Sequence, residues 1–314
     1  MWTKTECAGH PRDMGLAQGE ALRASIVQEL ARHGLATERS RMPSLTALAV
    51  GSIRGQGAGR EMFRHFAHLA ERLEGLAKRA SVPLDSLLEL HLRIREGGEA
   101  GGLLSRRASL RAKAVPGGEG PEGSKSALLE RSLPAALRGE AGWIVRQSEP
   151  AVGFRSVEIT LPWLVSSVAG VNEGGLAVMA GPMLWGTPGF AGASPSHLLV
   201  QECLQRFEDL EGALGWCQKR PVEGDQSFVL ADASGAVATV ISKGRRRRVQ
   251  PGEGELFIES GEGAADGDAS EAEASSTSSS SSTEAEEVTD RVLLDPSARR
   301  LQLDAAGSTL ELTL

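Results

Sequence analysis

The chain changes its hydrophobic period once, and that change limits the folds open to it. Through the first ninety residues apolar side chains recur every three or four positions; beyond residue 143 they fall in short runs separated by Gly, Pro or Asp. Leu22, Ile26 and Leu30 define one amphipathic segment, which Gly34 stops. Met62, Phe66, Leu69, Leu73 and Leu76 define a second with a single apolar stripe, and Pro83 opens a third in which Leu84, Leu87, Leu88 and His91 share a face. The first ninety residues are therefore predicted to be helical. Strands are predicted over 143–147, 154–161, 164–168, 176–179, 228–231 and 237–241. One helix interrupts them, following Leu198, Leu199, Cys203, Phe207 and later Leu214, with Ser194 or Ser196 as its cap. A helical start followed by a mainly antiparallel sheet region is the order of a layered α+β domain.

Two stretches lack any period. Residues 97–123 are rich in Gly, Arg, Ser and Pro and read as a flexible connection between the helical part, 1–96, and the β-rich core, 124–314. Residues 259–289 hold nine acidic residues, no Lys or Arg and the run SSTSSSSST. They are predicted to be disordered, because they carry too little apolar surface to offset their ordering entropy. Strand-like alternation resumes after them, with turns at Asp295-Pro296 and Ala306-Gly307, so they read as an insertion within one domain.

Charge excludes more than it suggests. The formal net charge of −7 comes from the insertion, and without it the chain is nearly neutral, which gives no case for nucleic acid. The run from Arg245 to Arg248 reads as a solvated strand edge. No leader-like or membrane-length apolar stretch occurs, so a soluble cytoplasmic protein is expected. Cys7, Cys203 and Cys217 are odd in number and far apart in sequence. They read as reduced, packed thiols, with no structural metal site and no cofactor implied.

Local motifs narrow the fold. Gly9, Pro11, Gly15 and Gly19 form a Gly-x-Pro-x-x-x-Gly-x-x-x-Gly pattern, and Leu90-His91-Leu92-Arg93 follows in order. Next come the run from Gly170 through Asn172 to Val178, Trp185-Gly186-Thr187-Pro188-Gly189 and Ser194-Pro195-Ser196-His197. With residues 295–307, this series resembles the acyl-coenzyme A:6-aminopenicillanic acid acyltransferase family, peptidase family C45. The resemblance implies a four-layer αββα sandwich of the N-terminal-nucleophile hydrolase kind, no cofactor, and an acyl or amide small molecule as ligand. Arg93 and Asn172 become candidate pocket residues.

The same resemblance exposes departures. The family's nucleophile is a cysteine freed by self-cleavage, whose own α-amine serves as base. No Cys lies between Cys7 and Cys203. Ser126 falls near the nucleophile position, and Ser124 and Ser132 are alternatives. The family's Arg-Asn-Trp-Asp strand corresponds to Arg146-Gln147-Ser148-Glu149, so Gln147 and Glu149 replace its Asn and Asp. Ser260 falls where the oxyanion-donating Asn belongs, and losing such a donor costs on the order of a hundredfold in rate. Two functions follow as expectations: a family fold that binds without catalysing, or an amide hydrolase or acyltransferase using a self-processed serine. Asn172 also reads as a turn residue tolerating positive φ, His91 and His197 as helix-face and helix-start histidines, and Asp232-Ala233-Ser234-Gly235 as a hairpin turn.

Overall fold

The computed structural model describes residues 2–38, 53–96, 110–116, 125–134, 142–181, 194–223, 226–243, 246–252, 255–258 and 289–314. The helical reading of the first ninety residues fails at their start. β1 (Trp2–Gly9) pairs in parallel with β4 (Trp143–Pro150) along its whole length. Thr5 and Cys7 are buried between exposed neighbours, a pattern too short to stand out against the helices that follow, and pairing with β4 decides the strand.

The predicted helices are then found as α1 (Pro11–Ala21), α2 (Arg23–Arg32), α3 (Ile53–His65), α4 (Ala67–Ala80) and α5 (Leu84–Glu96). The second predicted helix is two, because Phe66 leaves helical geometry at φ −134° and ψ 47° while remaining fully buried. Leu69, Leu73 and Leu76 of α4 are buried as the stripe requires, each contributing roughly 2 kcal/mol. The glycine motif acts here. A Cβ at Gly15 would collide with the carbonyl of Arg72, and one at Gly75 with that of Arg12, so α1 and α4 cross nearly backbone to backbone.

Two sheets follow. β5 (Ser156–Thr160), β6 (Ala169–Asn172), β7 (Leu176–Ala180), β10 (Gln226–Asp232), β11 (Val237–Lys243) and β12 (Arg246–Pro251) join β1 and β4 in an eight-stranded sheet of order β1-β4-β5-β6-β7-β10-β11-β12. β2 (Leu110–Pro116), β3 (Lys125–Pro134), β13 (Glu255–Ile258), β14 (Thr289–Asp295), β15 (Arg300–Ala305) and β16 (Ser308–Thr313) form a six-stranded sheet of order β13-β2-β3-β14-β15-β16. A short pair, β8 (Ser194–Pro195) and β9 (Val222–Glu223), completes the strands described. The large sheets pack face to face, with β3 over β7 and β10, and β14 over β6. Trp143 Nε1 donates to Asp290 Oδ2 at 2.7 Å across their interface. The outer face of the eight-stranded sheet is covered by α1 and by α6 (Leu198–Arg206) and α7 (Leu210–Lys219). The class is α+β, a β-sandwich with helices. Among the described residues, no helix packs comparably on the outer face of the six-stranded sheet.

Several local readings change. Leu110–Pro116, inside the stretch read as a flexible connection, is a paired strand; the rest of that stretch and residues 259–288 lie outside the described residues. Residues 164–168 are not a strand, because the carbonyls of Leu164, Val165 and Ser166 turn toward the Arg146 side chain. Neither Ser194 nor Ser196 stands at the helix cap; His197 does, and the first turn closes through Leu199 N–H to Ser196 O and Val200 N–H to His197 O. Arg246 and Arg248 are exposed on the edge strand β12, while the half-buried Arg247 donates to Val222 O at 2.7 Å. No described helix is long and apolar enough to cross a membrane.

Candidate functional site

Among the described residues, the sequence-predicted positions Ser126, Ser132, Gln147 and Glu149 do not come together. Ser126 and Ser132 lie on β3, where Ala127, Leu129, Arg131 and Leu133 are buried toward the sandwich, so by alternation both serines take the opposite face. Gln147 and Glu149 lie on β4, separated from β7, which β3 covers, by β5 and β6; Glu149 is exposed. Ser124, Ser260 and the Arg93 side chain lie outside the described residues.

Asn172 ends β6 fully buried, and its amide is committed. Nδ2 donates to Leu204 O at 2.9 Å and Phe207 O at 2.6 Å, while Oδ1 accepts from Leu176 N–H at 2.9 Å. It is a turn residue, but Gly175 supplies the positive φ, at 93°. Asp232 forms the expected hairpin turn, accepting from Ser234, and also receives Leu210 N–H at the start of α7.

His91 and His197 meet, with ring centroids 5.8 Å apart. His91 Nδ1 lies 2.7 Å from Leu87 O and must donate to it, leaving Nε2 to accept Val165 N–H at 3.3 Å. Burial lowers the His91 pKa to about 4 despite that bond to Leu87, and burial beside His91 lowers His197 well below the ordinary value. These are neutral, packed histidines, and no metal-holding group of three or more such residues exists among the described residues. Cys203 and Cys217, distant in sequence, lie with Sγ atoms 3.5 Å apart; the bond to Cys217 and burial push the Cys203 thiol up.

What the fold does bring together is a dry polar cluster between the eight-stranded sheet and its helices. Arg146 points from β4 toward α1 and α6, completely buried. Its Nε donates to Glu158 Oε2 at 2.6 Å. Nη1 reaches Gln18 Oε1 and Leu164 O, both at 3.0 Å, and Nη2 reaches Ser166 O and Ser167 Oγ at 3.0 Å and Gln201 Oε1 at 2.7 Å. Gln18 Nε2 donates to Pro162 O and Leu164 O, and Gln201 Nε2 to Glu158 Oε1. Burial alone would raise the Glu158 pKa, but the charges of Arg146 and Arg72 and the bonds from Ser156 and Gln201 outweigh it and hold it down to about 2. Every nitrogen of the Arg146 guanidinium is engaged.

Beside this cluster the geometry differs. Arg72, on α4, is 1% exposed, and its three side-chain nitrogens have no carboxylate, amide or carbonyl acceptor among the described residues; the Cys7 thiol, a weak acceptor, lies against them. Desolvation lowers its pKa to about 10, with the Arg146 charge acting in the same direction and the Cys7 thiol and Glu158 only partly opposing. Arg72 is among the residues that line a cleft of about 570 Å³. One wall is His10, Pro11 and Met14 at the start of α1; another is the loop after β4, where Val152 stands 88% exposed at the rim. The end of α6 and Trp216 of α7 close it, and among the described residues no Asp or Glu lines it.

Glu202, bonded to the cleft residues Trp216 and Arg206, is already compensated. Its Oε1 lies at ion-pair distance, 2.7 Å, from His68 Nε2 without hydrogen-bond alignment. Its Oε2 accepts from Trp216 Nε1 at 2.8 Å and faces Arg206 Nε at 3.1 Å. Arg220 and Arg206 lie over the Trp216 ring, 3.7 and 5.0 Å from its centroid. Sequence reasoning missed these residues. One signal was legible: Arg72 falls on the apolar stripe formed by Leu69, Leu73 and Leu76, a charge where the helix faces the core.

No family model matches the sequence, and no curated protein matches it. Solved structures overlay in part. A penicillin V acylase from Agrobacterium tumefaciens is 12% identical, with 67% of this chain and 78% of that one covered and a TM-score of 0.38. The Caenorhabditis elegans ortholog of N-acylethanolamine-hydrolyzing acid amidase is 11% identical over 48% and 69%, at a TM-score of 0.36. A mutant of conjugated bile acid hydrolase from Clostridium perfringens is 13% identical over 47% and 52%, at 0.34. These values assign no family.

Proposed function

We propose that this chain is an amidohydrolase-like protein of the N-terminal-nucleophile kind that has lost catalysis and uses its fold to bind an acyl or amide compound. One observation supports the reading: among the described residues, the candidate serines Ser126 and Ser132 do not face the strand that carries Arg146, Gln147 and Glu149. Ser126 and Ser132 are directed to the outer face of the six-stranded sheet. The Arg146 guanidinium, on the strand that corresponds to the family's core strand, has no nitrogen left for a substrate. A self-processed serine brings its own α-amine as base but must still face the pocket that holds its substrate, and by alternation Ser126 and Ser132 face away from the sandwich interior. A binding function needs no such placement. It needs a concave site, and the cleft lined in part by Arg72 supplies one.

Intact-mass measurement on the purified full chain, combined with an amide-hydrolysis assay, tests the reading. A single uncleaved chain without amide turnover is expected. Two fragments, the second beginning at Ser124, Ser126 or Ser132, together with turnover that is lost on changing that serine to Ala, overturn it.

A further inference from the structure

The Arg72 guanidinium beside the cleft, matched among the described residues by no more than a thiol, has a chemical meaning that a binding function for acyl or amide compounds does not give it. Fully burying a charge without a partner is expensive, so buried arginines are ordinarily paired or hydrogen-bonded. Arg146, in the same cluster, follows that rule with all its nitrogens engaged, whereas Arg72 has the weakly accepting Cys7 thiol and no oxygen acceptor on Nε, Nη1 or Nη2 among the described residues. The local charges are unbalanced in the same sense. Arg72, Arg146, Arg206 and Arg220 face only Glu158 and Glu202 among the described residues; Glu158 is engaged by Arg146, and Glu202 by Arg206, Arg220 and His68.

From the geometry we infer that the cleft binds a monocarboxylate with an apolar body, its carboxylate on Arg72 and its body along Met14, Leu69, Phe154, Phe207 and the edge of Trp216. The planar fork of a guanidinium matches the two oxygens of a carboxylate, and a bond between ionised partners is about twice as strong as a neutral one. Of the two arginines that line the cleft, Arg206 is paired with Glu202 and Arg72 has no carboxylate bonded to it; one such charge at the cleft suits a monoanion better than a phosphate dianion, and the walls next to Arg72 are apolar. The exposed Val152 at the rim extends that apolar surface outward. A volume of about 570 Å³ holds a small organic acid with most of its surface covered. An amide lacks the charge that Arg72 requires. The inference stands on the cleft alone and does not depend on whether the chain self-cleaves.

Calorimetric titration of the full chain with phenylbutyrate and decanoate, each set against its primary amide, and with inorganic phosphate, tests it. Each acid is expected to bind wild-type protein about tenfold or more tightly than its amide, the order of difference that a charged hydrogen bond contributes. Arg72→Met is expected to abolish that preference while its far-ultraviolet circular dichroism stays unchanged, and Arg72→Lys to retain part of it. The comparison of acid with amide on wild-type protein needs no variant and so stands even if Arg72→Met misfolds. Equal affinity for acid and amide, no binding of either acid, competition by phosphate as effective as by the acids, or an unchanged preference in Arg72→Met overturns the inference. Equal acid and amide binding would leave the proposed acyl or amide ligand standing, whereas amide turnover with self-cleavage would remove the non-catalytic reading alone.

Discussion

Arg146 and Arg72 are buried in one cluster, carry the same charge and differ in almost everything else. Arg146 has a carboxylate, two glutamine amides and a ring of carbonyls around it; Arg72 has none of these as hydrogen-bond partners among the described residues. A saturated guanidinium holds strands and helices in place, because each donor is matched by an acceptor that would otherwise be an orphan. An unsaturated one weakens the fold that contains it. The contrast separates a residue kept for architecture from one whose placement architecture does not explain, and substitutions at the two positions are expected to move stability in opposite directions.

The largest effect is expected at Arg146. Arg146→Met leaves Glu158 charged and buried, and strands the acceptor oxygens of Gln18 and Gln201, so unfolding free energy should fall by about 3–5 kcal/mol. Urea denaturation followed by circular dichroism measures it. A loss below about 1 kcal/mol would mean that the cluster does not lock the sheet to its helices.

Gly15 tests the platform on which Arg72 rests. Gly15→Ala drives a methyl group into the Arg72 carbonyl, and the backbone of α1 or α4 must shift, at about 3 kcal/mol. Gly215→Ala in α7, where a Cβ meets nothing within 4 Å, should be neutral or mildly stabilising in the same denaturation experiment. If Gly15→Ala behaves like Gly215→Ala, the close crossing is wrong.

The pH response is intermediate. The folded-state pKa of His91 is lowered from 6.5 to about 4, so between those values the unfolded chain binds the proton and the folded chain does not. Stability should therefore fall as pH drops through 6.5, the His91 contribution levelling off near 4 after accounting for about 2 kcal/mol between about pH 7 and pH 5. His197, shifted in the same direction, adds to the loss. Glu158 contributes nothing in that window, since its stabilisation disappears only as pH falls from the ordinary carboxylate range toward 2. Denaturation midpoints that do not move across that window would contradict the neutral packing of these rings.

The sequence made the classes of element legible better than their partners. The apolar stripes of α2, α4 and α5 and the turns at Asp232, Asp295 and Ala306 depend on local periodicity and turn chemistry, and those features stand in the residues themselves. β1 was hidden because only parallel pairing to a strand far along the chain makes eight residues extended. Residues 164–168 read as a strand because apolar content cannot show that three carbonyls are recruited by one arginine. The Gly9–Gly19 motif was visible as a pattern, yet its reason, the close crossing of α1 on α4, appears only with Gly75 opposite. The cleft was least legible of all: His10, Arg72, Val152, Arg206 and Trp216 come from separate segments with no spacing in common.

The smallest expected change in stability is the most informative, because its sign is at issue. Arg72 has a pKa lowered from 12.5 to about 10, so the folded chain holds this proton less firmly than the unfolded chain, and at neutral pH the charge opposes folding. Arg72→Met removes the charge and keeps most of the side-chain volume against Met14 and Leu69. The relief of desolvation should exceed the lost weak contacts with Cys7 and Glu158, raising unfolding free energy by about 1 kcal/mol. If the variant is instead destabilised by several kcal/mol, Arg72 is satisfied in solution by groups outside the described residues and belongs with Arg146 as architecture. If it is stabilised while acid binding is lost, the two arginines are separated by experiment as they are by geometry, and the cost of Arg72 to the fold is accounted for by its ligand.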